Sequence, residues 1–380
     1  MASRRISALT YVSLILVFWI TPLATTTIYG ATSTTPPRYF PVYPRPIDQP
    51  FMPGLDWGAR LDIENIFNAH GGLVRNAVTD VIGNIGLTYN TEEAGLWQGG
   101  LFTAGITGVA SGYEPKLAGE LQTVSDLWAL STVRFSELSY KQQFNPLFLV
   151  RAGIMDFNYY FDLTVVGAEL MNSSFGLTPT LYVDALVPTY PYSGWGAMSE
   201  IGSILKGRVG IFQGNPKELN TVFSQGYFAI GELEDTLTLN KQSLLLKAGA
   251  WRYRRPSLSW YNTYGFYGMA EDTWYMGKRQ CSLFLQAGDN LQDANVVPYY
   301  VGGGVRVKPL FNRRPDDVFS LGVASVGVQS ARQETAYEVT YVIRLTKQVS
   351  LQPDLQYVVN PGGTNPNALM GIVRVHADFS

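Results

Sequence analysis

Residues 337–379 read YEVTYVIRLTKQVSLQPDLQYVVNPGGTNPNALMGIVRVHADF. The stretch contains three segments in which apolar residues recur at every second position. In the first, Tyr337, Val339, Tyr341, Ile343 and Leu345 share one parity, and Glu338, Thr340, Val342 and Arg344 the other. In the second, Val349, Leu351, Leu355, Tyr357 and Val359 oppose Gln352, Asp354 and Gln356. In the third, Leu369, Gly371, Val373, Val375, Ala377 and Phe379 oppose Met370, Ile372, Arg374, His376 and Asp378. A period of two is that of a β-strand with unlike faces, and a soluble half-buried strand shares it. The aromatic-ended last segment favours a barrel whose final strand must pair and close, with lipid outside and water inside.

Composition points the same way. The 380 residues carry a formal net charge of -2, and 15% are charged, against about 25% in a soluble domain. Aromatics make up 13%, and there are 38 glycines. Few charges, many aromatics and many glycines suit aromatic girdles and tight turns. They also suit a secreted β-sandwich or propeller. The near-neutral charge argues against a nucleic-acid partner, which calls for a basic patch. A single cysteine, Cys281, excludes an intrachain disulfide. It precedes Leu283 and Leu285 on an alternating segment and reads as a wall residue.

At the N-terminus, Arg4 and Arg5 precede an apolar run over residues 7–20, and Pro22 and small residues follow. That is the pattern of a secretory signal peptide, and the run is shorter than the ~20 residues of a spanning helix. Residues 1–30 are therefore expected to be a signal peptide, cleaved between Ala24 and Ala31. Residues 31–56, with Pro36, Pro37, Pro41, Pro44, Pro46, Pro50 and Pro53, read as a Pro-rich lead-in. Residues 57–380 read as one barrel domain. A membrane crossing by this region must use a closed barrel, because no later stretch has the apolar length of a helix that satisfies its backbone in lipid.

Further segments fit. Leu138 and Tyr140 oppose Glu137, Ser139 and Lys141; Phe148, Val150, Ala152 and Ile154 oppose Arg151 and Met155. Leu244, Leu246, Ala248 and Ala250 oppose Lys247 and Trp251, and Leu283, Leu285 and Ala287 oppose Ser282 and Gln286. Tyr299, Val301, Gly303, Val305 and Val307 oppose Arg306 and Lys308. Each apolar set is assigned to lipid and each polar set to the lumen. Residues 318–329 are apolar on both parities and declare no face. In residues 116–130, Leu117, Leu121, Val124 and Trp128 fall at helical spacing, which predicts a short helix or an inward-folded loop. Sixteen spanning strands need roughly 160 residues, which the chain can supply; twelve or eighteen fit as well.

The chain is poor in catalytic signals. Its two histidines are His70 and His376, and there is no Gly-x-Ser-x-Gly elbow to accompany either. There is no Cys/His cluster for zinc and no phosphate-binding Gly-rich loop. No catalytic residue, metal or cofactor is expected. The glycines at 302–304 lie inside an alternating run and predict a tight bend in the wall. Asn172-Ser173-Ser174 matches a glycosylation sequon, a tripeptide common by chance. What remains is lumen chemistry. Sugars are held by planar hydrogen-bonding groups and by aromatic faces against their C–H patches. Arg151, Asp156, Trp251 and Gln356 are suitable types, although any wet barrel carries inward polar residues.

Several blocks are familiar. Residues 148–162 read FLVRAGIMDFNYYFD, residues 172–176 NSSFG, residues 247–253 KAGAWRY and residues 314–318 RPDDV. Residues 334–341 and 351–363, the latter LQPDLQYVVNPGG, complete the set. Together and in this order they resemble the carbohydrate-selective porins of the OprB family, from about residue 58 to the end. The resemblance implies a sixteen-stranded antiparallel barrel in the bacterial outer membrane that passes monosaccharides such as glucose by passive diffusion. It also implies an Arg-lined constriction with inward-folded loops. By position, Arg151 and Arg252 match motif arginines, and Glu137, Asp156 and Asp317 match motif acids. Arg252 shares its parity with Leu244 and Ala250, which suits the rim. With Asn172, Trp251, Glu338, Asp354 and Gln356, these are the constriction candidates. The implied partners are small carbohydrates, outer-membrane lipid and the barrel assembly machinery, with homo-oligomerisation left open. A general diffusion porin, a phospholipase-like barrel enzyme and a soluble β-sandwich binding module stay open as alternatives.

Overall fold

The computed structural model describes residues 52–239, 242–255, 262–292 and 296–379. The expected signal peptide and residues 31–51 of the lead-in lie outside them. Sixteen strands follow: β1 (Leu55–Gly71), β2 (Ala77–Asn90), β3 (Gly100–Ala110), β4 (Thr132–Asn145), β5 (Phe148–Met155), β6 (Gly194–Gly202), β7 (Lys206–Gln213) and β8 (Tyr227–Leu239). Then come β9 (Gln242–Arg254), β10 (Asn262–Met276), β11 (Arg279–Asn290), β12 (Tyr299–Lys308), β13 (Val318–Val326), β14 (Glu334–Arg344), β15 (Val349–Val359) and β16 (Ala368–Phe379). β1 begins two residues inside the expected lead-in, because the alternation of its wall continues back to Leu55.

Each strand pairs antiparallel with its sequence neighbours, and β1 pairs with β16 to close the barrel. Closure satisfies every strand edge, which a sheet in lipid requires. Among the described residues no helix is long and apolar enough to cross a membrane, so the wall is made by strands. The outer face exposes Leu61, Ile63, Ile85, Val209, Leu233, Leu283, Leu321, Tyr337, Leu355 and Val375. Phe379, the last residue of β16, lies on the same face, opposite Ala59 of β1.

The parity readings hold strand by strand, with bulges where the phase changes. On β4, Val133 and Phe135 point outward and so do Leu138 and Tyr140, because Ser136 is inserted between the partners of Gly105 and Ile106. One extra residue reverses the facing of everything beyond it.

Connections after odd-numbered strands lie at one end of the barrel, and connections after even-numbered strands lie at the other. The first set includes the two longest connections, residues 111–131 and 156–193. The second set includes two-residue turns such as 146–147 and 277–278. We call these the loop end and the turn end. Both long loops fold into the barrel. Leu117, Val124, Phe157, Phe161, Met171, Phe175 and Leu181 are buried within it. The helical spacing of residues 116–130 yields only a 3-10 turn at Glu114–Lys116, with the rest irregular, so the inward-folded loop is the correct alternative.

The hydrophobic core thus sits inside the cylinder. Phe157, Phe161 and Leu181 of the second loop pack on Phe212, Phe228, Ile230, Trp251 and Tyr253 of the wall. Val166, Leu170 and Phe175 pack on Phe284, Tyr300, Ala324 and Val326. Leu117, Val124 and Met171 pack on Ile66, Val358, Met370 and Ile372. This is why residues 318–326 are apolar on both parities: Leu321 and Val323 face out, while Ala324 and Val326 lie under a loop.

The glycines at 302–304 do not bend the wall; β12 keeps unbroken register with both neighbours. A Cβ on Gly302 would lie 2.0 Å from the Tyr300 hydroxyl, and one on Gly304 2.7 Å from the Phe284 ring. Two of these glycines clear the inner wall for aromatic side chains.

Candidate channel constriction

Inward residues change character along each strand. On β16, Ala368, Met370 and Ile372 at the loop end give way to Arg374, His376 and Asp378 at the turn end. On β7 the order is Phe212, Gly210, Arg208, Lys206, and on β9 it is Tyr253, Trp251, Gly249, Lys247. The loop-end tier is mainly apolar because the two loops pack on it. The turn-end tier is charged.

Wall carboxylates anchor the loops through backbone N–H groups. Both oxygens of Glu338 accept, from Met171 N at 2.5 Å and Asn172 N at 2.9 Å. Glu334 accepts from Gln122 N at 2.8 Å and Leu121 N at 2.9 Å. Glu232 accepts from Asp162 N at 2.9 Å, Glu271 from Val166 N at 3.1 Å, and Asp80 from Gly112 N at 2.6 Å. Each of these bonds satisfies a loop N–H that burial would otherwise leave without a partner, so a few of them fix an irregular loop.

Four candidates form one cluster. Asn172 caps the helical turn Ser173–Gly176 through Ser174 N at 3.1 Å, and its amide donates to Gln356 Oε1 at 3.1 Å. Gln356 donates to Val124 O at 2.7 Å and Asp354 Oδ1 at 3.0 Å. With Glu338, this set ties both loops to β14 and β15. Glu137 and Arg151 form a second group. They pair at 2.8 Å, Tyr160 OH donates to Glu137 at 2.8 Å, and the guanidinium lies 5.2 Å from the Tyr160 ring centre. Arg151 is only 4% exposed, so its donors are spent on protein.

Asp156 opens the second loop, accepting from Asn158 N at 2.9 Å and Tyr190 N at 2.7 Å. Burial, opposed by these donors, pushes its carboxyl up to about 7. Asp162 accepts from Thr178 N and Thr178 Oγ1, both at 2.8 Å. Burial likewise holds it at about 7. Trp251 is buried among the loop and wall aromatics and does not face the path.

Two candidates are corrected. Arg252 is exposed on the outer face of β9, as its parity with Leu244 and Ala250 requires. Asp317 lies in the turn-end connection before β13. It is paired with Arg314 at 2.8 Å, accepts from Tyr341 OH at 3.0 Å and Arg344 N at 3.0 Å, and serves to close that turn. Neither lines the lumen.

The inward charges that keep some exposure lie elsewhere. Arg208 reaches Glu200 at 2.5 Å, Glu232 at 2.9 Å and Glu234 at 2.8 Å, and Glu234 also meets Lys247 at 3.2 Å and Lys206 at 3.5 Å. Lys141 shares this side of the wall. Across the lumen stand Arg306, Lys308 and Arg344. Lys206 and Arg208 alternate in the sequence, as do Glu232 and Glu234, so a parity reading of residues 206–239 would have found them.

The OprB family of carbohydrate-selective porins matches residues 53–379. No curated protein matches the chain. Among solved structures, Pseudomonas putida OprB at high pH is similar with 19% identity and a TM-score of 0.79, covering 86% of this chain and 94% of that one. The low-pH structure of the same protein gives 18% identity and a TM-score of 0.60, covering 86% and 93%. A multiply substituted Rh. blastica porin gives 13% identity and a TM-score of 0.54, covering 86% and 100%. The structural likenesses establish the sixteen-stranded porin fold, and the family match over nearly all described residues makes this chain a member of the OprB carbohydrate-selective porins of the bacterial outer membrane.

Proposed function

We propose that this porin passes small neutral carbohydrates, monosaccharides such as glucose, by passive diffusion. The constriction in this reading is the space between the two inward loops and the charged tier of the wall. The supporting observation is the Arg208 group, whose donors and acceptors are held in place by one another and in which Arg208, Glu200, Glu234 and Lys206 keep some exposure. A neutral polyol moving past exchanges water hydrogen bonds for these at little net cost, and binding stays weak enough for release. Asn172, Glu338, Asp354 and Gln356 act as positioning residues that hold the loops, and Asp156 does so at the loop's start. Glu137 and Arg151 fix Tyr160 beside the path.

The loop end faces outward and the turn end the periplasm, as in bacterial barrels generally. Outer-membrane lipid surrounds the apolar wall, and the barrel assembly machinery inserts it. A homo-oligomer is compatible with this reading, and no covalent chemistry is assigned. Liposome swelling with a panel of sugars tests it. Glucose should enter faster than non-sugar solutes of equal size. Rates that follow size alone would make the protein a general diffusion porin, and impermeable liposomes would overturn the pore.

A further inference from the structure

We propose that the inner wall of β12–β15 at the turn end binds the carboxylate of an acidic sugar, an aldonate or a uronate. This rests on the pore reading above and widens its substrate class.

Arg306 and Lys308 point inward from β12, and Arg344 from β14, with only β13 between them. Strands lie about 4.8 Å apart, so β12 and β14 are separated by roughly 10 Å. Long basic side chains close such a gap on one small solute. Lys308 and Arg344 are half-buried, and neither side chain has a hydrogen bond or a carboxylate within 4.0 Å among the described residues. Arg306 has one counter-charge, Glu169 of the second loop, at 3.6 Å, and its Nε has no partner. Of the two acids in the turn before β13, Asp317 is held by Arg314 and Asp316 is exposed to solvent. Arg208 on the opposite wall has three carboxylates; here three cations share one.

The hydroxyls point independently to a ligand. Ser320 stands directly opposite Arg306 in the β12–β13 register, and Ser350 opposite Arg344 in the β14–β15 register. They are 1% and 0% exposed, and neither hydroxyl oxygen has a partner. A buried polar atom left without a bond is costly. Each arginine is thus accompanied by a hydroxyl with unused bonding capacity. A guanidinium takes a carboxylate bidentately, an ammonium adds a point charge, and serine hydroxyls bond the hydroxyls of the sugar ring. An acidic sugar carries both kinds of group on one small frame.

Single-channel recordings of the purified full-length porin in planar bilayers test this, with glucuronate, glucose and acetate added at the turn end. Glucuronate should interrupt the current at about ten-fold lower concentration than glucose, a difference of about 1.4 kcal/mol, and acetate should not. In the variant carrying Arg306→Gln, Lys308→Gln and Arg344→Gln, the glucuronate-to-glucose ratio should fall to about one. Should that variant not fold, Lys308→Gln alone should lower the ratio by about three-fold, and an unchanged ratio would overturn the site. Absence of the preference in the unaltered protein, its survival in the triple variant, or equal block by acetate would also overturn it. A porin that conducts and is blocked by glucose but not preferentially by glucuronate defeats this inference alone. A protein that does not conduct defeats the pore reading.

Discussion

Arg374 illustrates how a single charge is kept inside a membrane wall. Its side chain is fully buried on β16, bonded to Glu64 of β1 and to Asp126 of the first inward loop. It therefore joins the two strands that close the barrel to the loop that fills it. Arg374→Met removes the cation and leaves two buried carboxylates facing each other, a change expected to cost about 3–5 kcal/mol. Urea unfolding in detergent should show the lowered midpoint, and an unchanged midpoint would mean that the carboxylates rearrange freely. The inward facing of Arg374 was legible from parity alone. Its partner Asp126 was not, because a loop residue some 250 positions away carries no periodic signal. Arg252 is the converse case. Its parity already placed it outside, and the motif match pointed the other way.

At the scale of the element, the second inward loop is held by apolar packing and by acids that titrate unusually. Asp156 and Asp162 ordinarily ionise near 3.8, and burial holds both at about 7. The packed loop therefore binds protons that a released loop gives up. Its stabilisation by these groups is complete below pH ~4 and is lost as pH rises through 7. Hydrogen exchange over residues 156–193, corrected for intrinsic rates, should show less protection at pH 8 than at pH 6. Equal protection would show that burial does not govern these carboxyls. The element scale is also where sequence reading met its limit. β14, β15 and β16 declare their faces because their outer residues are uniformly apolar and many inner ones are charged. β13 declares none, since its inner Ala324 and Val326 pack beneath a loop. Periodicity reports the contrast between two faces, and the contrast vanishes where a loop makes the inside dry.

For the whole molecule, closure dominates. With β1 paired to β16, no strand edge is left for another chain or for partial unravelling. The folded barrel should run faster on gels when unheated and shift to its full apparent mass on boiling. A single band under both conditions would indicate an open sheet. The number of strands entered through a family resemblance, as the alternation fitted twelve or eighteen equally well. The closing seam was legible in outline, from the aromatic-ended last segment. The spacing of residues 116–130 allowed one inward-folded loop; what no local pattern foretold is that both long loops enter from the same end and leave the other end lined by charge.

That asymmetry restricts how the channel can be re-engineered. Trimming residues 156–193 to widen the bore would uncover Phe212, Phe228, Trp251 and Tyr253, an oily lining that detergent or lipid tails would enter. A broader conduit from this scaffold needs those positions made hydrophilic together with the deletion, so bore size and interior wetting have to be redesigned as one property.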